Sequence, residues 1–511
     1  MKSYKSFVFL SLVACLVLDS CSGLPKGNGG GGGGGSTAKV SFVLVADTPP
    51  PTLGLISFNV VPTSIILTPS TGTTITFELN NGNGYSFDLV RLQSDSAFLA
   101  TVANVPTGTY SSIAVTFSSA ELTFYNNNVS LISPACASGT VCVATFPGPF
   151  TSTITTPRTI TGNAGLGIDV NLATTVTVVG AGLNLNFANS STTTVVSDFT
   201  LPRTNSNLAA GQLDLIEDFT GLAAVSGSKV TITPATLMNR APITASSASG
   251  TNFDSDPTGS LCVAQTTLSG CFPTANEAAS MDAILNSDGT FTVQEIEPLL
   301  ASPVVDTVEG TVVSIATNNT TQFGIVVTDI LPAASGSLIS SLSIGARLTV
   351  NLATGPIFHV DTKGLPIANS FPTSIGHFTQ STDTTGLQLG QSVAIHVNAF
   401  TAANGTTAAI ANNVDTVTLR WSRFTATPAQ PLGSSAFFMN TLPAYFVAPT
   451  TTFGAEIFIG TPGAKGVTNL DGIANGSAPA STPAVGVRAL FIDTTANTFN
   501  PAFFAAKVRQ H

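Results

Sequence analysis

The sequence predicts an all-β fold: an N-terminal β-sandwich followed by two or three small β-barrel or sandwich units. Three observations carry this. Apolar and polar residues alternate over 112–117, 229–233 and 415–421, the period of a half-buried strand, and Val, Ile, Thr and Phe fill those runs. Turn residues separate them, at 80–84, at 106–108, and at Asn286-Ser287-Asp288-Gly289 between the runs 281–285 and 290–296. Long helical periodicity is missing, and only residues 276–280 and a few loop turns are expected to be helical.

The first 20 residues read as an export signal. Lys2 and Lys5 precede an apolar stretch, 7–18, that is too short to span a membrane permanently, and Cys21 follows small Ser20. Residues 21–38, with glycines at 29–35, form a flexible tether whose r.m.s. reach is on the order of 20–25 Å. A cysteine at the processing point makes the segment resemble a bacterial lipoprotein signal, which implies lipidation of Cys21 and anchoring in the membrane. Cys15, after Leu12-Val13-Ala14, is the alternative site, but it would leave apolar Leu16-Val17-Leu18 at the head of the mature chain. Ser22 after the cysteine, rather than Asp, points under the sorting rule of such lipoproteins to the outer membrane, facing the periplasm or the cell surface.

Beyond the tether, composition shifts and turns divide the chain into 39–202, a sandwich-sized unit, then 203–300 with a local cysteine pair, 301–427, and a C-terminal unit, 428–511. The segment 309–315 opens a unit that the strand at 390–397 continues, and the strand at 485–491 is similar to the latter, each with a Gly turn and a later strand ending in basic residues, so small β-units are expected to repeat. Cys136 with Cys142, and Cys262 with Cys271, lie close in sequence within Ser-, Gly-, Pro- or Thr-rich stretches. In an oxidising compartment these read as two local disulfides, each contributing about 2–3 kcal/mol. A four-thiolate metal site is the alternative, and the spacings are wider than zinc knuckles use.

Three landmarks of the first unit, 43–49, Phe87-Asp88-Leu89 and Val105-Pro106-Thr107-Gly108-Thr109-Tyr110, resemble a β-rich domain of unknown function common in bacterial envelope lipoproteins. The last also resembles the strand entry of transthyretin-like sandwiches. The Gly-x-Val-x-x-Ile segments farther on are similar to a second uncharacterised β-barrel family that often follows it. The resemblance implies an anchored, β-rich envelope protein, and it brings no functional residues with it.

The chemistry-bearing residues are sparse. Charged residues are 9% of the chain and the net charge is −10 with no basic run, which argues against nucleic acid and anionic lipid as partners. There is no nucleophile elbow, and the Ser-x-x-Lys spacing of Ser226 and Lys229 lies in a turn. His359 with Asp361 is a minimal metal pair, whereas His396 reads as solvent-facing, His377 follows Gly376 in a loop and His511 is terminal. The glycines at 180 and 182 precede no helix that would cradle a phosphate. Calcium is the one cofactor with oxygen ligands on offer: Asn252, Asp254 and Asp256, Asn286 and Asp288, and Asn469 with Asp471. Asx turns explain the same residues through local hydrogen bonds. Asp214, Glu217 and Asp218 cluster, as do Glu295 and Glu297, with the latter two expected to face solvent. Trp421, the only tryptophan, is flanked by Arg420 and Arg423, and these three are the candidate ligand contacts, with packing of the ring under the Pro-rich segment 427–432 as the alternative. The expectation is therefore a non-enzymatic, structural or adhesive envelope protein meeting an extracellular polymer or envelope proteins. A glycan-binding or glycan-processing component and a calcium-stabilised adhesin are the alternatives.

Overall fold

The computed structural model describes residues 36–46, 53–126, 136–179, 182–188, 212–253, 262, 265–272, 277–299, 305–333, 335–360, 378–405, 407–431, 436–443, 445–446, 455–459, 469–471, 484–492 and 502–510. Cys15, Cys21, Asp254, Asp256, Asp361, His377 and His511 lie outside them, as do the side chains of Asp214 and Glu217. The chain is all-β: the two α-helices among the described residues, α1 (Leu172–Thr175) and α2 (Leu268–Cys271), are single turns.

The N-terminal strands are β1 (Thr37–Ala46), β2 (Gly54–Pro69), β3 (Ile75–Glu78), β4 (Phe87–Asp88), β5 (Ala97–Pro106) and β6 (Gly108–Tyr125). They continue with β7 (Val141–Ile154), β8 (Arg158–Ile160), β9 (Ala164–Val170), and the hairpin of β10 (Val176–Val179) and β11 (Gly182–Leu185). One sheet has the order β5-β1-β9 and a second the order β3-β2-β6-β7, with β4 and β8 added at its flanks. Phe42, Phe58, Leu122 and Phe117 from both sheets share one core, onto which Phe187 stacks with ring centroids 4.6 Å apart from Phe117. At the strand entry singled out in the sequence, the Tyr110 hydroxyl donates to the Pro106 carbonyl at 2.6 Å, which closes the turn and seats the ring in the core.

Two barrels follow. The first comprises β12 (Gln212–Ser226), β13 (Lys229–Thr233), β14 (Ile243–Ser246), a short β15 (Asn252–Phe253), β16 (Glu277–Asn286) and β17 (Phe291–Pro298). The second comprises β18 (Asp306–Ile315), β19 (Gln322–Leu331), β20 (Arg347–Val360), β21 (Ser392–Val397), a short β22 (Ala399–Thr401) and β23 (Ala409–Pro431). Setting the short strands aside, the rings run β12-β13-β14-β17-β16 and β18-β19-β20-β23-β21. In both, the third and fifth strands are parallel and every other pair is antiparallel, so both are five-stranded Greek-key barrels of one topology.

The equivalence reaches single residues. In the first strand of each barrel a glycine sits where the chain turns a barrel corner. A Cβ at Gly221 would lie 2.4 Å from the Thr233 carbonyl oxygen, and one at Gly310 would lie 2.5 Å from the Val326 carbonyl oxygen. The next residues pair alike, Leu222 with Thr233 and Thr311 with Val326.

The C-terminal strands, β24 (Ala436–Thr441), β25 (Ala455–Ile459), β26 (Asn469–Asp471), β27 (Val485–Ile492) and β28 (Ala502–Gln510), extend the sheet of the second barrel. β23 links the two parts: residues up to Arg420 pair with β20 and β21, and Trp421–Ala426 pair with β27. The expected boundary at 427 thus falls inside one strand. One core spans the sandwich and the first barrel, a second fills the second barrel, and a third, under the C-terminal strands, takes in Ile56, Val313 and Val326.

Two local expectations are corrected. Residues 277–280 are strand rather than helix, because β16 pairs with β12 on one side and β17 on the other, and that pairing overrides the helical preference of Ala278-Ala279. Glu297, expected to face solvent, is 2% exposed, and Glu295 accepts a hydrogen bond from Asn252 Nδ2 at 2.9 Å. The hairpin expected around 286–289 is present, with Asp288 Oδ1 accepting from the Thr290 amide at 3.0 Å as an Asx turn.

Candidate functional site

Both cysteine pairs are disulfides, with Cα–Cα separations of 5.9 Å for Cys136–Cys142 and 4.3 Å for Cys262–Cys271. The first pins the loop between β6 and β7, and the second pins the connection between β15 and β16 of the first barrel.

Charge, so scarce along the chain, collects where the sandwich, the two barrels and the C-terminal strands meet. Five of the nine arginines are drawn there, Arg91, Arg240, Arg420, Arg423 and Arg488. A β-bulge between Ile216 and Phe219 pushes Asp218 out of β12 with φ +50°. There Asp218 Oδ2 receives Arg423 Nη2 at 3.0 Å and pairs with Arg488 Nη2 as well. Arg423 Nε pairs with Asp95 of the sandwich, and its Nη1 donates to the Trp421 carbonyl at 3.0 Å. A register shift after Glu309 brings the second barrel's acid to the same place, where Arg420 Nε lies at 3.3 Å and Arg91 Nη1 at 3.7 Å. The Thr425 hydroxyl donates to Gln93 Oε1, a further tie between β23 and the sandwich.

Two classes of carboxyl result. Burial alone would raise Asp95, but the charges of Arg423, Arg488 and Lys507 outweigh it and hold the carboxyl below its usual range. Glu309 is lowered in the same way, with Arg420 and Arg91 outweighing burial. Asp88 and Asp329 are raised, because burial exceeds the help of the Phe58 amide and Arg91 for the former, and of Arg240 for the latter. A cavity of ≈ 40 Å³ remains between Asp88, Arg91, Asp95, Asp218 and Arg240, enough for a water or two and too small for a substrate.

The residues proposed from the sequence for ligand contact belong to this junction. Trp421 is 0% exposed, with the Arg488 guanidinium carbon 5.5 Å from its ring centroid, so its ring is packed rather than open to a ligand. Arg420 and Arg423 are committed to Glu309, Asp95 and Asp218. The reason is positional: beyond residue 420, β23 leaves the barrel to pair with β27, and residues 421–425 are buried. His396 stays half-exposed, its Nδ1 3.8 Å from Asp415 Oδ1, and burial lowers its pKa. Ser226 and Lys229 pair across a two-residue hairpin, the turn expected of them.

A second place is open. A groove of ≈ 520 Å³ runs between the end of the sandwich and the outer face of the second barrel. Tyr125, Thr140 and Val141 form one wall; Ser314, Gly324, Arg347 and Thr349 form the other. Ser314, Gly324 and Thr349 are cross-strand partners in one row over β18, β19 and β20, and the Arg347 Nη2 group spans the groove to the Val141 carbonyl at 3.3 Å. Sequence reading missed this site because its residues are remote in the chain and individually ordinary. The described lining of the groove holds one guanidinium, that of Arg347, and the hydroxyls of Tyr125, Thr140, Ser314 and Thr349. Compared with protein-family models and with curated proteins, the chain matches none.

Proposed function

We propose that the protein is a lipid-anchored β-protein of the cell envelope, with a structural or adhesive role and no catalysis. The N-terminus carries this reading: Lys2 and Lys5, the apolar stretch 7–18, Cys21, and a glycine-rich tether ahead of the first strand. The architecture supports it, because internal ion pairs join the β-units and leave exposed strand faces rich in Thr and Ser, a form suited to presenting a surface at a distance. Two disulfides suit an oxidising compartment. The resemblance of the first unit to envelope lipoprotein domains fits the same assignment.

Growth with an alkyne-tagged fatty acid tests the anchor. Label on the wild type, lost in Cys21→Ser and kept in Cys15→Ser, is expected; label unaffected by Cys21→Ser would overturn the assigned site, and no label at all would overturn the anchor. Protease treatment of intact cells, following a C-terminal epitope, then assigns the β-units to the surface if the epitope is lost and to the periplasm if it is protected until the outer membrane is opened.

A further inference from the structure

The groove face of the second barrel has a counterpart in the first, and the two differ in chemistry. Aligning the corner glycines, Gly221 with Gly310, and following the ladder past the extra residue Val313, where the register shifts between Val312 and Ser314, sets the row Ser314–Gly324–Thr349 against Ala224–Thr231–Thr244. In the first barrel the Thr231 and Thr244 hydroxyls satisfy one another at 2.9 Å. In the second, glycine replaces Thr231, and the hydroxyls of Ser314 and Thr349 have no hydrogen-bond partner among the described residues. A Cβ at position 324 would come 2.5 Å from Ser314 Oγ, so the glycine opens a shallow dent between two available hydroxyls. Two residues before Thr349 stands Arg347, where the first barrel has Pro242.

Arg347 is exposed in a chain of net charge −10, yet among the described residues it has no carboxylate partner, and the Val141 carbonyl takes one of its five N–H groups. Opposite stands Tyr125, an amphipathic ring on the facing wall. The disulfide Cys136–Cys142 holds the loop of Gly139 and Thr140 that completes this wall. The volume, ≈ 520 Å³, lies in the range of small-ligand sites, and both ends of the arrangement are polar.

We propose that this groove binds a carboxylate-bearing sugar, with Arg347 gripping the carboxylate, Ser314 and Thr349 bonding ring hydroxyls over the dent at Gly324, and Tyr125 lying against the ring. A planar guanidinium matches a carboxylate with two parallel hydrogen bonds. The hydroxyls of Ser314 and Thr349 on that wall suit the polar edge of a sugar ring, and Ile315, Leu348 and Leu389 in the same groove suit its apolar face. This rests on the adhesive role proposed above, gives it a ligand class, and moves glycan contact from Trp421, which is buried, to the groove.

Isothermal titration of the full-length protein with acidic trisaccharides (trigalacturonate, trimannuronate and triglucuronate) and with neutral maltotriose tests the proposal. At least one acidic trimer is expected to bind at least about tenfold tighter than maltotriose, with a loss of about tenfold or more in Arg347→Gln. Gly324→Thr, which restores the first barrel's residue, is expected to abolish binding while leaving the melting temperature within a few degrees. No binding to any acidic trimer, equal binding of maltotriose, or unchanged affinity in Arg347→Gln would overturn the site. These outcomes are read in solution and are independent of the fatty-acid label, so the groove and the anchor fail separately.

Discussion

The two barrels share a strand order and differ at the seam that closes them. In the second, β20 runs beside β23 in parallel from Leu348 opposite Ala409 to Val360 opposite Leu419. In the first, the equivalent contact of β14 with β17 is the pair Ser246 and Thr292, with β15 adding Asn252–Phe253 against Glu295–Ile296. The weakly zipped barrel is the one that carries the disulfide Cys262–Cys271 in the connection from β15 to β16, and its apolar residues merge with the core of the sandwich. The well-zipped barrel keeps a core of its own. One topology is thus stabilised by two means, backbone pairing in one copy, and a covalent link plus a borrowed core in the other. Both copies spend an irregularity of the first strand, near Asp218 and at Glu309, on delivering an acid to a common junction.

The greatest loss of stability is expected from removing the first barrel's acid. Asp218→Ala leaves Arg423 and Arg488 short of a carboxylate in a buried site and is expected to cost ~3–5 kcal/mol in urea unfolding. Cys262→Ser combined with Cys271→Ser is expected to cost about 2–3 kcal/mol, and hydrogen exchange should quicken across 212–298 while 306–431 keeps its protection. Gly221→Ala and Gly310→Ala test the equivalence itself: both put a Cβ against a carbonyl oxygen, so both are expected to lose about 1–3 kcal/mol, and a large loss in one with none in the other would contradict it.

The pH dependence separates the two classes of carboxyl. Glu309 is held low in the folded state, so its contribution is present above the ordinary carboxylate range and is lost as pH falls through its lowered value. Glu309→Gln should therefore be destabilised near neutrality and converge on the wild type in acid, as read by urea midpoints across pH. Asp329 has the opposite sign: its raised carboxyl contributes at low pH and loses that contribution as pH rises through the raised value. The smallest effect is expected for Thr244→Val, which breaks the hydroxyl pair with Thr231 on an exposed face and costs about 0.5 kcal/mol.

The fold class was legible because alternation and turn chemistry are local signals. The hairpin around Asn286–Gly289 and the two short-range disulfides follow from neighbours in sequence, and both are present. The repeat was only half legible. The segment at 309–315 stood out, but its structural twin is Phe219-Thr220-Gly221 and the strand that follows, where the shared feature is one glycine and a register. The junction was not legible, because Asp95, Asp218, Arg423 and Arg488 come from separate elements far apart in the chain. The depth of Trp421 was hidden for the same reason: its strand looks half-buried locally, and the pairing with β27 completes its burial. A usable signal did exist, since in a chain 9% charged the pair Arg420 and Arg423 on a strand otherwise rich in apolar residues is costly unless matched.

The claim that buried ion pairs join the units is tested most directly through Trp421, the only tryptophan, which lies in the junction. Urea unfolding of the wild type and of Asp218→Ala would be followed in parallel by tryptophan fluorescence and by far-ultraviolet circular dichroism. Coincident transitions in the wild type, and a fluorescence transition that shifts to lower urea ahead of the dichroism in Asp218→Ala, are the predicted result. A wild-type fluorescence transition already separate from the dichroism, or one left in place by Asp218→Ala, would contradict it.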